Sequence, residues 1–289
     1  MIIPPAEMPI GKYHKSAPRW WSKSTLRLYQ SMGAPWMGLY LQDLVEAPQP
    51  DGTEQGSALD CLLTEGLGTF LTRYPRRPPG APKRPTKAQL TAKKPSQESI
   101  DAIAYWKAWD AANPGAIILS DEDHAILQEA AAAVRRLPCW KEIEESQAQA
   151  TVRRDAPQLG IGLQSRPDWI HTGRGRLRDL KKTRDLDMFG RQAIDLGYHL
   201  QAAVASWCLA GDSIGVEQAS LVAVEWQRGA RAREYIIPHE ALVDGDRQMR
   251  DLARDVADRL ARNDWTDQQT SPELLPIPEY MLRRMSEAA

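Results

Sequence analysis

The second half of the chain shows the clearest alternation of hydrophobic and polar residues. Three apolar-rich segments with short connections predict an antiparallel meander of strands: Gln147–Arg153, Leu159–Ile170 and Leu177–Lys181. A proline-free helix is predicted from Asp187 to about Leu209. After it come a continuously apolar strand and a more exposed, alternating strand, at Ala219–Trp226 and Arg233–Ile237.

Helical spacing dominates the rest of the chain. Serine N-caps predict helix starts near Ser22, Ser96 and Ser120, and a charged amphipathic helix is predicted from Glu240 to Arg262. This order of elements predicts an α/β fold with a sheet flanked by helices. We expect one domain over 1–289, with a mainly helical part at 13–146, a catalytic core at 147–262 and a C-terminal arm at 263–289.

Composition is ordinary for a globular protein and excludes several classes. Hydrophobic residues make up 42% and charged residues 26%, and the net charge of −1 gives no global basic signal for nucleic acid. The three scattered cysteines form no CxxC pair, which argues against a zinc site, a disulfide framework or a four-cysteine iron–sulfur cluster. Because signal-peptide and membrane-span patterns are lacking, we expect a cytoplasmic protein.

One segment departs from this average. From Arg73 to Lys94 the chain carries eight Lys or Arg residues, no Asp or Glu, and several prolines. Such a segment cannot form a core, so residues 73–96 are predicted to be an extended, basic, proline-rich loop. The loop either contacts the phosphate backbone of a nucleic acid or is a solvated linker, and the sequence leaves both interpretations open.

Candidate chemistry concentrates in the predicted hairpin. A turn at Thr172–Gly175 folds the strand carrying Asp168 back beside the strand carrying Asp179 and Lys181, which lie two apart and share a face. Two carboxylates can hold a hard cation such as Mg²⁺, which activates water and neutralises charge on a phosphodiester, and the lysine can orient that water. An ordinary surface salt bridge is the alternative.

The following helix adds two polar residues. Tyr198 and Gln201 are three apart and therefore neighbours on one face. They can face the acidic patch and touch the scissile strand, or they can form a satisfied polar pair in a core.

Three motifs together resemble one family. RPDW (166–169), DLKKT (179–183) and GYHLQAA (197–203) resemble the nuclease domain of RecE-type exonucleases (exonuclease VIII) and their phage relatives in the PD-(D/E)XK superfamily. The resemblance implies a restriction-endonuclease-like α/β core with a central mixed sheet. It also implies a deoxyribonuclease that uses Mg²⁺, with Mn²⁺ as an alternative, and digests one strand of duplex DNA from the 5′ end to leave a 3′ single-stranded tail.

The resemblance also assigns roles to residues of this chain. Asp168, Asp179 and the Leu180 carbonyl would bind metal, Lys181 would position the attacking water, and Gln201 and Tyr198 would line the scissile phosphate. The helix at 55–66 resembles a family helix whose histidine helps to bind the metal. Asp60 stands at that position, where it can still offer an oxygen to Mg²⁺ or lie on the helix surface.

A second implied site lies near the N-terminus. WSKSTLRL (21–28) resembles the helix start that holds the 5′-phosphate, with Ser24 and either Lys23 or Arg27 as contacts; capping of a core helix is the alternative. The family also implies DNA ends, a RecT-like single-strand annealing protein and a homo-oligomeric ring as partners. An endonuclease or repair nuclease with the same core, or a non-catalytic DNA-binding protein, remain alternatives.

Overall fold

The computed structural model describes residues 1–48, 53–267, 277–281 and 284. The helices are α1 (Ile10–His14), α2 (Lys23–Leu41), α3 (Thr53–Thr64), α4 (Gly66–Arg73), α5 (Lys87–Leu90), α6 (Gln97–Ala112), α7 (Asp121–Arg135), α8 (Trp140–Glu144), α9 (Phe189–Asp195), α10 (Tyr198–Ala210) and α11 (His239–Arg262). The strands are β1 (Ile2–Ile3), β2 (Trp20–Trp21), β3 (Gln147–Ala148), β4 (Thr151–Ala156), β5 (Ile161–Ser165), β6 (Trp169–His171), β7 (Arg176–Thr183), β8 (Gln218–Glu225) and β9 (Ala232–Ile236).

The strands form two mixed sheets flanked by helices, which confirms the predicted α/β class. One sheet has the order β1-β4-β5-β2 and the other β3-β6-β7-β8-β9, with parallel pairing only between β2 and β5 and between β7 and β8 among the described strands. Alternate residues of β8 belong to two hydrophobic cores. Leu221 and Ala223 on one face lie in the first core, and Val222 and Val224 on the other face lie in the second. The first core packs against α2, α10 and α11, and the second against α3 and α7.

The predicted three-stranded meander is wrong. The first predicted strand is broken at Gln149, which has a left-handed backbone (φ 54°), and the second is broken between Ser165 and Trp169. Pro167 lies in that second break and has no N–H to donate to a ladder. As a result β4 and β5 pair in the first sheet, whereas β3, β6 and β7 belong to the second.

The predicted hairpin between β6 and β7 is confirmed. Trp169 pairs with Arg178 and His171 with Arg176, and the connection ends at Gly175 with a left-handed backbone (φ 58°). A Cβ atom at Gly175 would also lie 2.5 Å from the Gly215 carbonyl oxygen, so the turn requires glycine for two reasons. The turn therefore fixes the strand register on which the candidate chemistry depends.

The helix predicted from Asp187 to Leu209 is two helices. Gly197 adopts a left-handed conformation (φ 65°) that ends α9 and starts α10, so Tyr198 becomes the first residue of the second helix. Hydrophobic periodicity does not detect such a break, because both helices carry apolar residues. The break matters because it sets the direction in which α10 approaches β7.

The basic loop is anchored to the helical part of the fold at several points. Between α4 and α6 it contains only the short helix α5, but Trp106 of α6 donates its indole N–H to the Pro82 carbonyl (3.0 Å). The Arg84 guanidinium lies 4.6 Å from the centre of the same indole ring and pairs with Asp110. Trp106 is buried, whereas Ile100 of the same helix is exposed.

The N-terminal and C-terminal segments contact each other. Ser22 caps α2 by accepting a hydrogen bond from the Thr25 N–H, and Gly33 (φ 81°) kinks this helix. Trp265 packs edge-on against Tyr29 of α2. Much of the predicted C-terminal arm lies outside the described residues. No helix within those residues has the length and apolar character needed to cross a membrane.

Candidate active site

The hairpin brings Asp168 against β7. Asp168 directly precedes β6, and its Oδ2 accepts a hydrogen bond from the Leu180 N–H (2.5 Å). Asp179 and Lys181, on either side of Leu180, project from one face of β7, while Leu180 packs in the second core. Asp168 therefore lies beside the Asp-x-Lys strand, as the sequence predicts.

Helix α10 completes a tight cluster around Lys181. The Lys181 ammonium forms an ion pair with Asp179 Oδ2 and donates to Gln201 Oε1 (3.3 Å), and Gln201 Nε2 donates to Asp179 Oδ1 (2.7 Å). The same ammonium lies 4.6 Å from the centre of the Tyr198 ring. Gln201 thus bridges the carboxylate and the amine, and Tyr198 contacts the amine through its ring face.

Asp60 of α3 is linked to Asp168 by the side-chain amide of Gln149. Gln149 Nε2 lies 2.9 Å from each Asp60 carboxylate oxygen and 2.6 Å from Asp168 Oδ1. Because Gln149 bridges the two carboxylates, the structure brings Asp60, Asp168 and Asp179 into one group. The Asp60 side chain faces this group rather than the outer surface of α3.

A cavity of about 300 Å³ opens over the group. Its walls include Asp60, Asp168, Asp179 and Lys181, and Lys23 and Ser24 at the start of α2. The Lys23 ammonium lies 5.3 Å from the centre of the Tyr198 ring, so Lys23 and Lys181 share one aromatic contact. Of the predicted 5′-phosphate contacts, the structure therefore brings Lys23 and Ser24 to the carboxylates.

Arg27 has a different environment. Its guanidinium donates to the Asp195 carbonyl (3.1 Å) and to Gln30 Oε1 (2.8 Å), which holds it against the end of α9. Capping of α2 falls to Ser22, not to Ser24. Ser24 is therefore exposed at the cavity without a capping role.

Burial and mutual repulsion raise the pKa values of two carboxyl groups. Burial raises the pKa of Asp168 well above its usual range, and the Asp179 and Asp60 charges add to this effect. Burial likewise raises the pKa of Asp60 to about 7, although the Gln149 hydrogen bond opposes it. Burial would lower the pKa of Lys181, but Asp179 and Asp168 outweigh it and raise that pKa above the usual lysine value.

The lysine at the cavity entrance is affected in the opposite direction. Burial lowers the pKa of Lys23 to about 8, and repulsion from Lys181 contributes. Lys23 therefore carries a charge that is poorly compensated by the protein itself. An anion bound in the cavity would restore that compensation.

Oxygen donors dominate the group, which is the donor set that Mg²⁺ and Mn²⁺ prefer. Asp179 Oδ2 is buried and pairs with the Lys181 ammonium. Across the residues with described coordinates, no three His, Cys, Asp or Glu side chains form a ready-made metal cluster. Gln149 lies between Asp60 and Asp168, and the Lys181 ammonium pairs with Asp179. The donor chemistry fits a hard divalent cation.

Sequence reasoning missed two residues at this site. Gln149 lies inside a segment interpreted as a continuous strand, where a glutamine gives no signal. Arg166 lines the cavity, donates from Nε to the Gln149 carbonyl (2.8 Å), and has a buried NH1 group with no hydrogen bond within the described structure. Its position two residues before Asp168, inside the RPDW motif, is the signal that could have identified it.

Comparisons with known proteins concern the family and the fold of this chain. A family model described as the PD-(D/E)XK nuclease superfamily matches residues 20–273. A crystal structure of a candidate exonuclease from Eubacterium rectale is similar in fold, with a TM-score of 0.52 and 14% identity over 91% of this chain and 92% of that chain.

A second solved structure is similar over a smaller part. A phage-related exonuclease from Haemophilus somnus 129PT matches with a TM-score of 0.32 and 16% identity, over 63% of this chain and 92% of that chain. A comparison with curated protein sequences finds no match. A TM-score of 0.32 adds no argument about the fold, so of these two structures we use the Eubacterium rectale one for the fold alone.

Proposed function

The chain belongs to the PD-(D/E)XK nuclease superfamily, and we propose that it is a Mg²⁺-dependent exodeoxyribonuclease that degrades duplex DNA from its ends. One observation carries the proposal. Asp168, Asp179 and Lys181 converge in one cavity, joined by the Asp168–Leu180 N–H bond and the Asp179–Lys181 pair. The proposal extends the superfamily assignment to a substrate and a direction of attack.

Each side chain has a role that its position supports. Asp168 and Asp179, with Asp60 and the Leu180 carbonyl, would hold the cation, which supplies charge neutralisation at the phosphodiester and a reactive water. Lys181 is held as an ammonium by its two carboxylate neighbours, so it acts as a hydrogen-bond donor that orients the water or a phosphate oxygen rather than as a base. Gln201 fixes Lys181 relative to Asp179, and with Tyr198 it would line the scissile phosphate.

The start of α2 supports binding of a terminal phosphate. Lys23 and Ser24 face the cavity that contains the carboxylates, and Lys23 lacks full charge compensation. A 5′-phosphate bound there would place the adjoining phosphodiester toward Asp179, which favours digestion from the 5′ end and a 3′ single-stranded tail. Resemblance to RecE-type enzymes adds to the proposal a recombination role with a RecT-like annealing protein and a homo-oligomeric ring.

End dependence gives the sharpest test. We expect the protein with Mg²⁺ to degrade a 5′-phosphorylated linear duplex, to leave a covalently closed circle of the same sequence intact, and to be inactive in EDTA. Denaturing gels with a label at each end report polarity. Asp179→Ala should remove the activity, and Asp155→Ala, an exposed aspartate on β4, serves as the matched control.

The other outcomes identify the alternatives. Cleavage of the closed circle would indicate an endonuclease with the same core. Binding of DNA without degradation, equal in wild type and Asp179→Ala, would indicate a non-catalytic DNA-binding protein. Degradation that persists in Asp179→Ala would mean that the activity does not arise at this site.

A further inference from the structure

Gln149 has an unusual backbone conformation at the junction between two sheets. It connects β3 of the second sheet to β4 of the first, with a positive φ of 54°. A non-glycine residue pays a steric cost in this region, and such conformations persist when the surrounding structure enforces them. Contacts with neighbouring residues hold Gln149 in this conformation.

The backbone of Gln149 is held on both sides. Its N–H donates to the Asp168 carbonyl (2.9 Å), and its carbonyl accepts from the Arg166 Nε (2.8 Å). Both partners belong to the RPDW segment that carries the catalytic aspartate. Gln149 is therefore tied to Asp168 through its main chain before its side chain is considered.

The side chain then joins two carboxylates from different elements. Its Nε2 lies within 2.9 Å of both Asp60 oxygens and 2.6 Å from Asp168 Oδ1. Asp168 Oδ2 is already bonded to the Leu180 N–H, so each Asp168 oxygen accepts a hydrogen bond and keeps a further lone pair. This arrangement fixes the orientation of the Asp168 carboxylate and leaves a lone pair on each of its oxygens for a cation.

A neutral amide suits this role better than a charged group. A lysine between Asp60 and Asp168 would cancel their charge and compete with a cation. An alanine would leave two buried carboxylates in repulsion without a donor. The amide donates hydrogen bonds while the charge of both carboxylates is preserved.

From this geometry we infer that Gln149 is a positioning residue, which orients Asp60 and Asp168 toward a divalent cation. The inference rests on the proposed function, because it assumes that these carboxylates bind the metal. It adds a residue that acts through two others and that no motif identifies. Groups that orient metal ligands in this way typically account for about 10–100-fold in metal affinity.

Two substitutions test the side chain of Gln149 while they tolerate its left-handed backbone. Gln149→Gly removes the amide and accepts the left-handed backbone without strain. Gln149→Asn keeps an amide and a residue type that tolerates this conformation, but it is one methylene shorter and cannot span both carboxylates. Gln147→Ala, at the exposed Gln147 of β3, is the matched control.

Isothermal titration calorimetry of the full-length, metal-free protein with MnCl₂, without DNA, gives a readout independent of catalysis. We expect Gln149→Gly and Gln149→Asn to bind Mn²⁺ about 10-fold more weakly or worse, while Gln147→Ala matches wild type. Circular dichroism checks folding, and if one Gln149 variant does not fold, the other decides.

Mn²⁺ binding within twofold of wild type by a folded Gln149 variant overturns the inference. Tighter binding also overturns it, because it would mean that the amide competes with the cation. If wild type itself binds no Mn²⁺, the proposed function fails. If wild type and the Gln149 variants bind Mn²⁺ with equal affinity, the inference about Gln149 fails and the proposed function stands.

Discussion

Strand β7 carries two buried charge clusters, which begin at consecutive residues and lie on opposite faces. The arginine cluster consists of Arg178, Glu142, Glu234 and Ser220. Arg178 donates to Glu142 (2.7 Å) and to Glu234 (2.8 Å), and Ser220 donates to Glu234 (2.6 Å). The carboxylate cluster consists of Asp60, Asp168, Asp179 and Lys181, with Gln149 and Gln201 between them. The two clusters differ in charge balance.

The pKa values of their acids shift in opposite directions. Burial opposes ionisation of both glutamates, but hydrogen bonds outweigh it and lower both pKa values. These bonds come from Arg178 for Glu142, and from Ser220 and Arg178 for Glu234. In the carboxylate cluster burial is reinforced by repulsion, and the pKa values of Asp60 and Asp168 rise. In the first cluster Arg174 also pairs with Glu142 (3.2 Å), so two guanidinium groups face two carboxylates, as in a structural ion-pair network. The second holds three carboxylates against one ammonium, as a site for an external cation does.

Removal of the amine from the carboxylate cluster should have the largest effect. We expect Lys181→Ala to lower the rate of DNA degradation by about 10²–10³-fold, because the water or phosphate oxygen loses its oriented donor. Initial rates on a labelled linear duplex at saturating DNA measure the effect, and Lys141→Ala, an exposed lysine of α8, is the control. A variant with wild-type rates would remove Lys181 from the mechanism.

The matching change in the arginine cluster should affect stability instead. Arg178→Met removes the buried guanidinium that bonds the half-buried Glu142 and Glu234, and leaves Glu142 with its contacts to Arg174 and Arg176. Loss of one member of a buried pair costs about 3–5 kcal/mol of unfolding free energy, and we expect the lower end of this range because both glutamates are half-buried. Urea denaturation measures this loss. At temperatures where the variant stays folded, we expect its specific activity to match wild type. A stable but inactive Arg178→Met variant would show that the arginine cluster also contributes to activity, which would contradict the separate roles of the two clusters.

The pH dependence of stability should sharpen the contrast. The pKa of Asp60 rises from 3.8 to about 7 on folding, so between these values the folded protein keeps a proton that the unfolded chain has released. The unfolding free energy contributed by Asp60 therefore falls as pH rises from about 4 to about 7 in the metal-free protein.

Asp60→Asn should flatten this fall relative to wild type. Urea unfolding in EDTA across that pH range gives the comparison, and Asp155→Asn is the control. A wild type and an Asp60→Asn variant with parallel pH profiles would contradict the raised pKa.

The basic loop carries exposed charges, in contrast to the two buried clusters. Removal of lysine charges from this loop should have the smallest effect on DNA degradation. We expect Lys93→Gln/Lys94→Gln to reduce the slope of log affinity against log salt by about 2, since each phosphate contact contributes roughly 0.9. Fluorescence anisotropy with a labelled duplex in Ca²⁺ measures the slope, and cleavage at low salt should persist. An unchanged slope would identify the loop as a solvated linker.

The sequence predicted what is encoded locally and missed what depends on distant contacts. The β6–β7 hairpin follows from its glycine turn, and the position of Asp168 beside Asp179 follows from the hairpin. The division into two sheets was missed, because it depends on a left-handed Gln149 whose backbone is held by the distant residues Asp168 and Arg166. The break at Gly197 was missed because apolar periodicity continues on both sides.

Anomalous diffraction from crystals soaked in Mn²⁺ tests the central claim most directly. We predict a peak in the cavity about 2.0–2.6 Å from carboxylate oxygens of Asp168 and Asp179, with the Lys181 ammonium displaced from Asp179 Oδ2. The same map would show whether Asp60 is a ligand and whether Gln149 contacts the carboxylates only. A well-diffracting soaked crystal with no peak between Asp168 and Asp179 would contradict the account of this site as a metal-dependent nuclease centre.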